Sequence, residues 1–167
     1  MSRPSPHPRI RPATSDADLA AATALFTEYA ASLDFDLCFQ DFERELATLA
    51  TLYAPPDGCI LLAEVAGDPC GCVAMRPHSA GTCEMKRLYV RPSARGRGIG
   101  RRLAVAVVER ARERGYALMR LDTLASMVEA IALYESIGFR EIAPYRHNPL
   151  GGARFYQLGL RAGAPPG

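Results

Sequence analysis

The chain has 167 residues, a net charge of +2 and 49% hydrophobic residues, which fits a single folded domain. This apolar content excludes a chain that is disordered throughout. No uninterrupted apolar run reaches the roughly 18–20 residues that span a bilayer, and the Pro- and Arg-rich residues 1–12 lack the apolar segment of a secretory signal. We therefore expect a cytoplasmic protein without a membrane partner.

The basic charge is concentrated in one part of the chain. Residues 84–116 contain ten Lys and Arg but only three Glu, a net charge of +7, so the remaining residues together carry −5. This distribution predicts a surface that meets an anionic ligand.

The cysteine pattern favours buried, reduced thiols. An odd number of cysteines in a chain without a secretory signal argues against a disulfide framework. Cys70-Gly71-Cys72 is the only close pair, and no Cys-x-x-Cys or His pair stands nearby to complete a zinc site. The five are Cys38, Cys59, Cys70, Cys72 and Cys83.

The first half of the chain predicts one strand, two helices and three further strands. A short strand opens at Ile10, and the Ser15-x-x-Asp18 capping box precedes a helix that extends to Leu33. A second helical face runs over residues 39–49 and is ended by the Pro-Pro-Asp-Gly sequence at 55–58. A short apolar run at 59–66 and its continuation at 70–76 then predict two strands joined by a turn, and alternation predicts a third strand at 82–90.

The second half predicts a helix after Gly100, a strand at 117–123, a helix at 127–137 and strands at 139–142 and 153–160. Residues 1–9 and 161–167 are expected to be tails, which leaves one domain over 10–160. The fold class is therefore α/β, with a mixed sheet of about six to seven strands flanked by about four helices.

A loop of glycines and arginines between a strand and a helix carries the chemistry. A helix start offers unpaired backbone N–H groups, glycines let the backbone approach an anion, and arginines add charge, so the loop predicts a phosphate or pyrophosphate site. The loop lacks the Gly-Lys-Ser/Thr of a P-loop, and a dinucleotide fingerprint would need glycine at Arg101. Its residues are Arg95, Gly96, Arg97, Gly98, Ile99, Gly100 and Arg101.

The same arginines could instead lie on a nucleic-acid backbone. The chain has neither aromatic residues interleaved with this cluster nor a reading-helix pattern, which favours a small anionic ligand and no nucleic-acid partner.

Two motifs resemble the GNAT N-acetyltransferase superfamily. Arg95-x-x-Gly98-x-Gly100 after the Leu88-Tyr89-Val90 strand resembles its acetyl-CoA signature. Leu133-Tyr134-x-x-x-Gly138-Phe139, about 35 residues later, resembles its helix-to-strand segment. The resemblance implies a splayed sheet with acetyl-CoA between the strands at 82–90 and 117–123, an amine-bearing acceptor, no metal, and a possible homodimer.

The resemblance also assigns the cofactor-binding residues. Backbone groups of Leu88, Tyr89 and Val90 would pair with the pantetheine arm, and amides of residues 95–101 would hold the pyrophosphate. An N–H near Leu88 would polarise the thioester carbonyl and stabilise the oxyanion.

Two residues are candidates for catalysis. Tyr134 matches the family position of the acid that protonates the departing thiolate, although a core tyrosine is the alternative. Glu84 is the candidate proton acceptor for the amine, with a strand-surface charge paired to Lys86 or Arg87 as the alternative. Tyr29, Tyr145 and His147 are further candidates for lining the acceptor side.

One residue departs from the family pattern. Many members carry Asn seven residues before the tyrosine, where it contacts the cofactor arm, and here that position is Met127. Ser126 could supply a weaker polar contact.

The function that the resemblance implies is acetyl transfer from acetyl-CoA to an amine. A non-catalytic module that senses acyl-CoA is the alternative function.

Overall fold

The structure of the protein, a computed structural model, describes residues 7–33, 41–148 and 151–161. The strands are Arg9–Pro12 (β1), Cys59–Val65 (β2), Asp68–Ser79 (β3), Thr82–Val90 (β4), Leu118–Leu124 (β5), Arg140–Ile142 (β6) and Ala153–Gly159 (β7). The α-helices are Asp16–Ala31 (α1), Phe42–Ala47 (α2), Leu49–Leu52 (α3), Ile99–Glu113 (α4) and Val128–Ile137 (α5), and Pro92–Ala94 forms a 3-10 turn.

The described strands form one seven-stranded mixed sheet in the order β1-β2-β3-β4-β5-β7-β6. The neighbouring strands are antiparallel except for β4 and β5, which are parallel. The α/β class and the mixed sheet are thus confirmed. None of the described helices is long and apolar enough to cross a membrane.

Both faces of the sheet are covered, which explains why its central strands are apolar on both sides. In β2, Leu61 and Ala63 belong to the cluster beneath α4 and α5, whereas Ile60 and Leu62 belong to the cluster beneath α1 and α3. The capping box at the start of α1 is present, since Ser15 Oγ accepts from the backbone N–H of Asp18.

Three sequence predictions need correction or lie outside the described residues. The second helix is two short helices, because Thr48 between them has a non-helical backbone (φ −126°, ψ 25°), so the described residues contain five α-helices instead of about four. Phe39 and Cys38 lie outside the described residues. The other four cysteines are buried and free, as predicted.

The parallel strands β4 and β5 separate after three paired residues. Thr82 pairs with Leu118 and Glu84 with Arg120, but the register ends there. β5 instead stays paired with β7 along its whole length. The sheet is therefore open between the second half of β4 and the end of β5, which is the splay that the family resemblance implies.

A β-bulge interrupts β4 a few residues beyond its last pair with β5. Cys72 of β3 pairs with Tyr89 and Ala74 pairs with Lys86, so Arg87 and Leu88 together oppose a single residue. Arg87 has φ +59°, which is uncommon for a residue other than glycine. A bulge bends its strand and takes backbone groups out of the regular ladder, and such sites often border active sites.

Candidate active site

The opening between β4 and β5 contains three adjoining cavities built from described residues. We call them the splay groove, with a volume of about 740 Å³, the junction pocket, about 50 Å³, and the charged pocket, about 100 Å³. The splay groove and junction pocket share Tyr29, Leu33, Leu88, Leu124 and Met127. The junction and charged pockets share Lys86, Arg87 and Asp122.

One end of the splay groove is the glycine-arginine loop. Gly96 (φ +81°) and Gly98 (φ +73°) adopt left-handed backbone conformations, and a Cβ atom at either would meet no atom within 4 Å. The helix α4 begins directly after Gly98, so its first N–H groups and the positive end of its dipole lie at this end of the groove. The loop thus presents an open surface beside unpaired backbone N–H groups, and anion binding there stays a prediction.

The predicted cofactor residues do not all line the groove. Those that do are Leu88, Tyr89, Val90, Arg95, Gly96, Gly98, Ile99 and Gly100. Arg97 and Arg101 are exposed and are not part of its lining, and the Arg101 guanidinium donates to Ser136 Oγ at 2.8 Å. Arg95 Nε donates to the Val90 carbonyl at 3.1 Å, which ties the loop to the end of β4.

Met127 and Ser126 lie on the groove wall, at the position of the family asparagine and beside it. Met127 accepts a weak hydrogen bond at its sulfur from Thr123 Oγ1 at 3.5 Å. This wall is therefore less polar than an asparagine would make it.

Tyr134 lies on α5 and lines the junction pocket. The helix ends at Gly138, whose φ of +117° closes the last turn. Phe139 then packs edge-on against the Tyr134 ring at 5.8 Å. Burial raises the pKa of Tyr134, so the hydroxyl keeps its proton at neutral pH, which is the state a general acid requires.

Glu84 is completely buried at the edge of the charged pocket, and both of its oxygens are occupied. Arg76 Nε donates to Oε1 at 3.1 Å, while the Tyr145 hydroxyl, at 2.8 Å, and Arg146 donate to Oε2. Burial would raise the pKa of Glu84, but Lys86, Arg146 and Arg76 outweigh it, and the pKa is lowered. Glu84 therefore remains ionised throughout the neutral and alkaline range.

The comparisons with known proteins agree with this geometry. A family model described as the acetyltransferase (GNAT) family matches residues 21–139. An N-acetyltransferase of Schizosaccharomyces pombe is 41% identical over 143 residues, which are 84% of this chain and 88% of that protein. The chain belongs to the GNAT acetyltransferase family.

A solved structure shares the fold of this chain, and a further relative is similar to it over part of its length. An acetyltransferase from Salmonella typhimurium, solved with its cofactor acetyl-CoA, has a TM-score of 0.69 at 23% identity, covering 95% of this chain and 96% of that one. The human N-acetylaspartate synthetase is 38% identical over 99 residues. Those residues are 59% of this chain but only 33% of the synthetase.

In this GNAT domain, the three further acceptor-side candidates are dispersed around the pockets. Tyr29 lines the splay groove and the junction pocket, and His147 lines the charged pocket. The guanidinium groups of Arg120 and Arg146 lie over the Tyr145 ring, at 5.4 and 5.2 Å from its centroid.

Sequence reasoning missed Asp122, Lys86 and Arg146 as site residues. Lys86 Nζ lies 3.8 Å from Asp122 Oδ1 and 4.0 Å from Glu84 Oε1. The signal for Asp122 was present, because Leu118, Arg120 and Asp122 alternate with the apolar residues of their strand. Nothing in the local pattern marks Arg146, which lies 62 residues from its partner Glu84.

Proposed function

We propose that the protein transfers an acetyl group from acetyl-CoA directly to the amine of a small acceptor. The observation that carries the proposal is the continuity of the three cavities. An anion-binding loop lies at one end of the opening, a protonated tyrosine in the middle and a charged pocket at the other end. The relatives of the chain include N-acetylaspartate synthetases, which supports an amine acceptor.

The residues present fit acetyl-CoA. The loop glycines leave open space where side chains would stand, and the 15-residue helix α4 directs its N-terminus at that space. The groove of about 740 Å³ runs from this loop along Leu88, Tyr89 and Val90 to the junction pocket. When bound, acetyl-CoA supplies the activated acyl group as a thioester.

The protein's own residues would carry out two proton transfers. As the amine nitrogen bonds to the acyl carbon and the carbon–sulfur bond breaks, the nitrogen loses a proton and the leaving sulfur requires one. Tyr134 is proposed to give its hydroxyl proton to the sulfur. A carboxylate is proposed to take the proton from the amine, either Glu84, as the sequence predicts, or Asp122, which borders the junction pocket.

The bulge in β4 is proposed to supply the group that polarises the carbonyl. Leu88 lies at the bulge and lines both the groove and the junction pocket, so a backbone N–H in this segment can face the acyl oxygen. The bulge is held by Arg87, whose guanidinium forms two 2.9 Å hydrogen bonds with Glu45 of α2.

A thiol-release assay tests the proposal. Acetyl-CoA is incubated with a panel of amines, and free thiol is followed with a thiol-reactive dye, while calorimetry measures acetyl-CoA binding separately. Thiol release above the rate of hydrolysis with at least one amine is expected. Tight acetyl-CoA binding without any amine-dependent release would favour a sensing module, and salt-sensitive binding of duplex DNA instead of acetyl-CoA would favour the nucleic-acid alternative.

The replacement Gly98→Val tests the anion-binding loop. Its side chain would enter open groove space at φ +73°, and we expect acetyl-CoA binding weakened roughly tenfold or more, since one hydrogen bond to a charged group contributes about 1.5–3 kcal/mol. Gly67→Val is the matched control, because Gly67 has φ +83° and equally open surroundings in the β2–β3 turn.

Both variants bear the same backbone strain of about 1–2 kcal/mol, so thermal melts of the two should agree while calorimetry separates them. Unchanged acetyl-CoA affinity in a folded Gly98→Val protein would contradict the assignment of the loop.

A further inference from the structure

The charged pocket contains more positive than negative charge. Its described lining includes four Lys and Arg side chains and two carboxylates, and Glu84 beside it adds a third carboxylate, so these groups together carry one positive charge in excess. The cations are Arg76, Lys86, Arg87 and Arg146, and the carboxylates of the lining are Glu45 and Asp122. Lys86 and Arg87 are buried, and Arg76 and Arg146 have side-chain exposures of 25%, so an anion that enters the pocket would offset an excess that is only partly solvated.

The cations differ in how well their donors are satisfied. Arg87 is matched by Glu45 through two hydrogen bonds and lies over the Phe42 ring at 5.4 Å. Lys86 has side-chain exposure of only 5%, yet its nearest carboxylate oxygens, at 3.8 and 4.0 Å, are beyond hydrogen-bond distance.

Arg146 has a donor that the described residues leave unsatisfied. Its terminal nitrogen donates to Glu84, but its Nε is buried and has no hydrogen-bond partner among the described residues. Buried donors without partners are rare in folded proteins, so each one requires an explanation. A carboxylate in the charged pocket would accept from Arg146 and offset the excess charge, because an arginine fork matches carboxylate geometry.

From this arrangement we propose that the acceptor is a small amine that also carries a carboxylate, as an amino acid does. The proposal rests on the proposed acetyl transfer, since it names the acceptor of that reaction. The carboxylate binds in the charged pocket at Arg146 and Lys86, and the amine extends toward Asp122, where the charged pocket meets the junction pocket. The pocket volume of about 100 Å³ restricts the part of the acceptor that enters it.

The same charges disfavour other amine classes. A polyamine would place further positive charge beside Lys86 and Arg146, and like charges in a buried site repel each other. An amine whose carboxylate is converted to an amide would leave the excess charge without a counter-ion.

The first test compares matched amines in the thiol-release assay. L-Aspartate, L-glutamate and L-alanine are each measured against the analogue in which every carboxylate is converted to a carboxamide, and putrescine represents the cationic amines. We expect kcat/KM for at least one amino acid to exceed that of its carboxamide by roughly 10-fold or more. A factor of this size corresponds to the loss of one hydrogen bond to a charged group. Equal or greater activity with carboxamides or putrescine would overturn the inference while leaving acetyl transfer intact.

A binding measurement separates the two proposals if no amine reacts. Thermal melting is measured with each amino acid and its carboxamide at the same concentration, since a ligand that binds the folded state raises Tm. Stabilisation by the amino acid alone would support the carboxylate site although the transfer reaction had failed. Equal shifts, or none with either ligand, would overturn it.

The second test removes the unsatisfied donor. Arg146→Gln should raise KM for the reactive amino acid roughly 10- to 100-fold, with KM for acetyl-CoA unchanged, and Arg146→Lys should restore part of the loss by returning the charge. Arg154→Gln is the matched control, because Arg154 is a half-exposed arginine of β7 whose ionic partner Glu141 lies 3.8 Å away. A melt of each variant checks folding. An Arg146→Gln enzyme with an unchanged amino-acid KM would contradict the assignment.

Discussion

Replacing Tyr134 with phenylalanine is expected to lower kcat by roughly 10²–10⁴, the usual range for losing a general acid. The change removes one hydroxyl and leaves the ring on Phe139, so folding and acetyl-CoA affinity should hardly change. Burial raises the pKa of Tyr134, and the hydroxyl thus carries its proton across the working pH range. The measurement is kcat with the acceptor found in the screen, together with the acetyl-CoA Kd.

Tyr156→Phe is the control for this experiment. Tyr156 is also a buried tyrosine of the same core cluster, but its hydroxyl contacts Glu135 at 3.5 Å and it lies outside the lining of the three cavities. Its kcat should remain close to that of the wild type. If Tyr134→Phe were equally active, solvent or another group would protonate the thiolate, and Tyr134 would revert to a packing residue of α5.

The strands and helices around the site could be predicted because local patterns determine them. β4 begins at Thr82 and ends at Val90 as predicted, since alternation and the following Arg-Pro define both ends. The capping box at Ser15 and the glycine at 138 likewise define helix ends through local backbone hydrogen bonds. The break at Thr48 was missed, because threonine is compatible with a helix and only the backbone there departs from it.

The bulge could not be predicted from the residues that form it. A glycine at position 87 would have suggested a left-handed backbone, but the residue is arginine, and its side-chain contacts to Glu45 and Phe42 accompany that conformation. Those contacts join residues more than 40 positions apart. Local periodicity therefore indicates a strand at 82–90 and does not reveal where it bends.

The charge partners of Glu84 also could not be predicted in full from the neighbouring sequence. Sequence reasoning considered neighbours in β4, Lys86 and Arg87, as its pairing partners. In the structure, Arg87 pairs with Glu45 instead, whereas Lys86 does form an ion pair with Glu84, with 4.0 Å between Nζ and Oε1. The closer partners are Arg76 on the adjacent strand and Arg146 in the loop after β6, which only the folded sheet brings together.

The two candidate proton acceptors, Asp122 and Glu84, should respond differently to removal of their charge. Asp122 lines the junction pocket, whereas Glu84 is completely buried and holds Arg76 and Arg146. We therefore expect Asp122→Asn to lower kcat by roughly 10²–10⁴, as loss of a proton acceptor does. Glu84→Gln should instead raise the acceptor KM, because the two arginines lose their anchor.

The pH dependence provides a second distinction. The pKa of Glu84 is lowered from its ordinary value, so Glu84 is already ionised at pH 6 and cannot produce a rise in rate between pH 6 and 10. A rise in that interval would report another group, such as the acceptor ammonium, which must lose its proton before it attacks. Glu84→Gln should therefore keep the acid limb of the wild-type profile.

The decisive measurement is kcat and KM from pH 6 to 10 for the wild type, Glu84→Gln, Glu84→Asp and Asp122→Asn. Glu84→Gln leaves two arginines without their buried partner, a change that can cost about 3–5 kcal/mol, so Glu84→Asp is included because it keeps the charge. A Glu84→Gln enzyme that folds and loses kcat by 10²–10⁴ at unchanged KM would make Glu84 the proton acceptor, as the sequence predicts. A change confined to KM, with kcat lost only in Asp122→Asn, would assign proton transfer to Asp122. Glu84 would then be the residue that positions the arginines of the charged pocket.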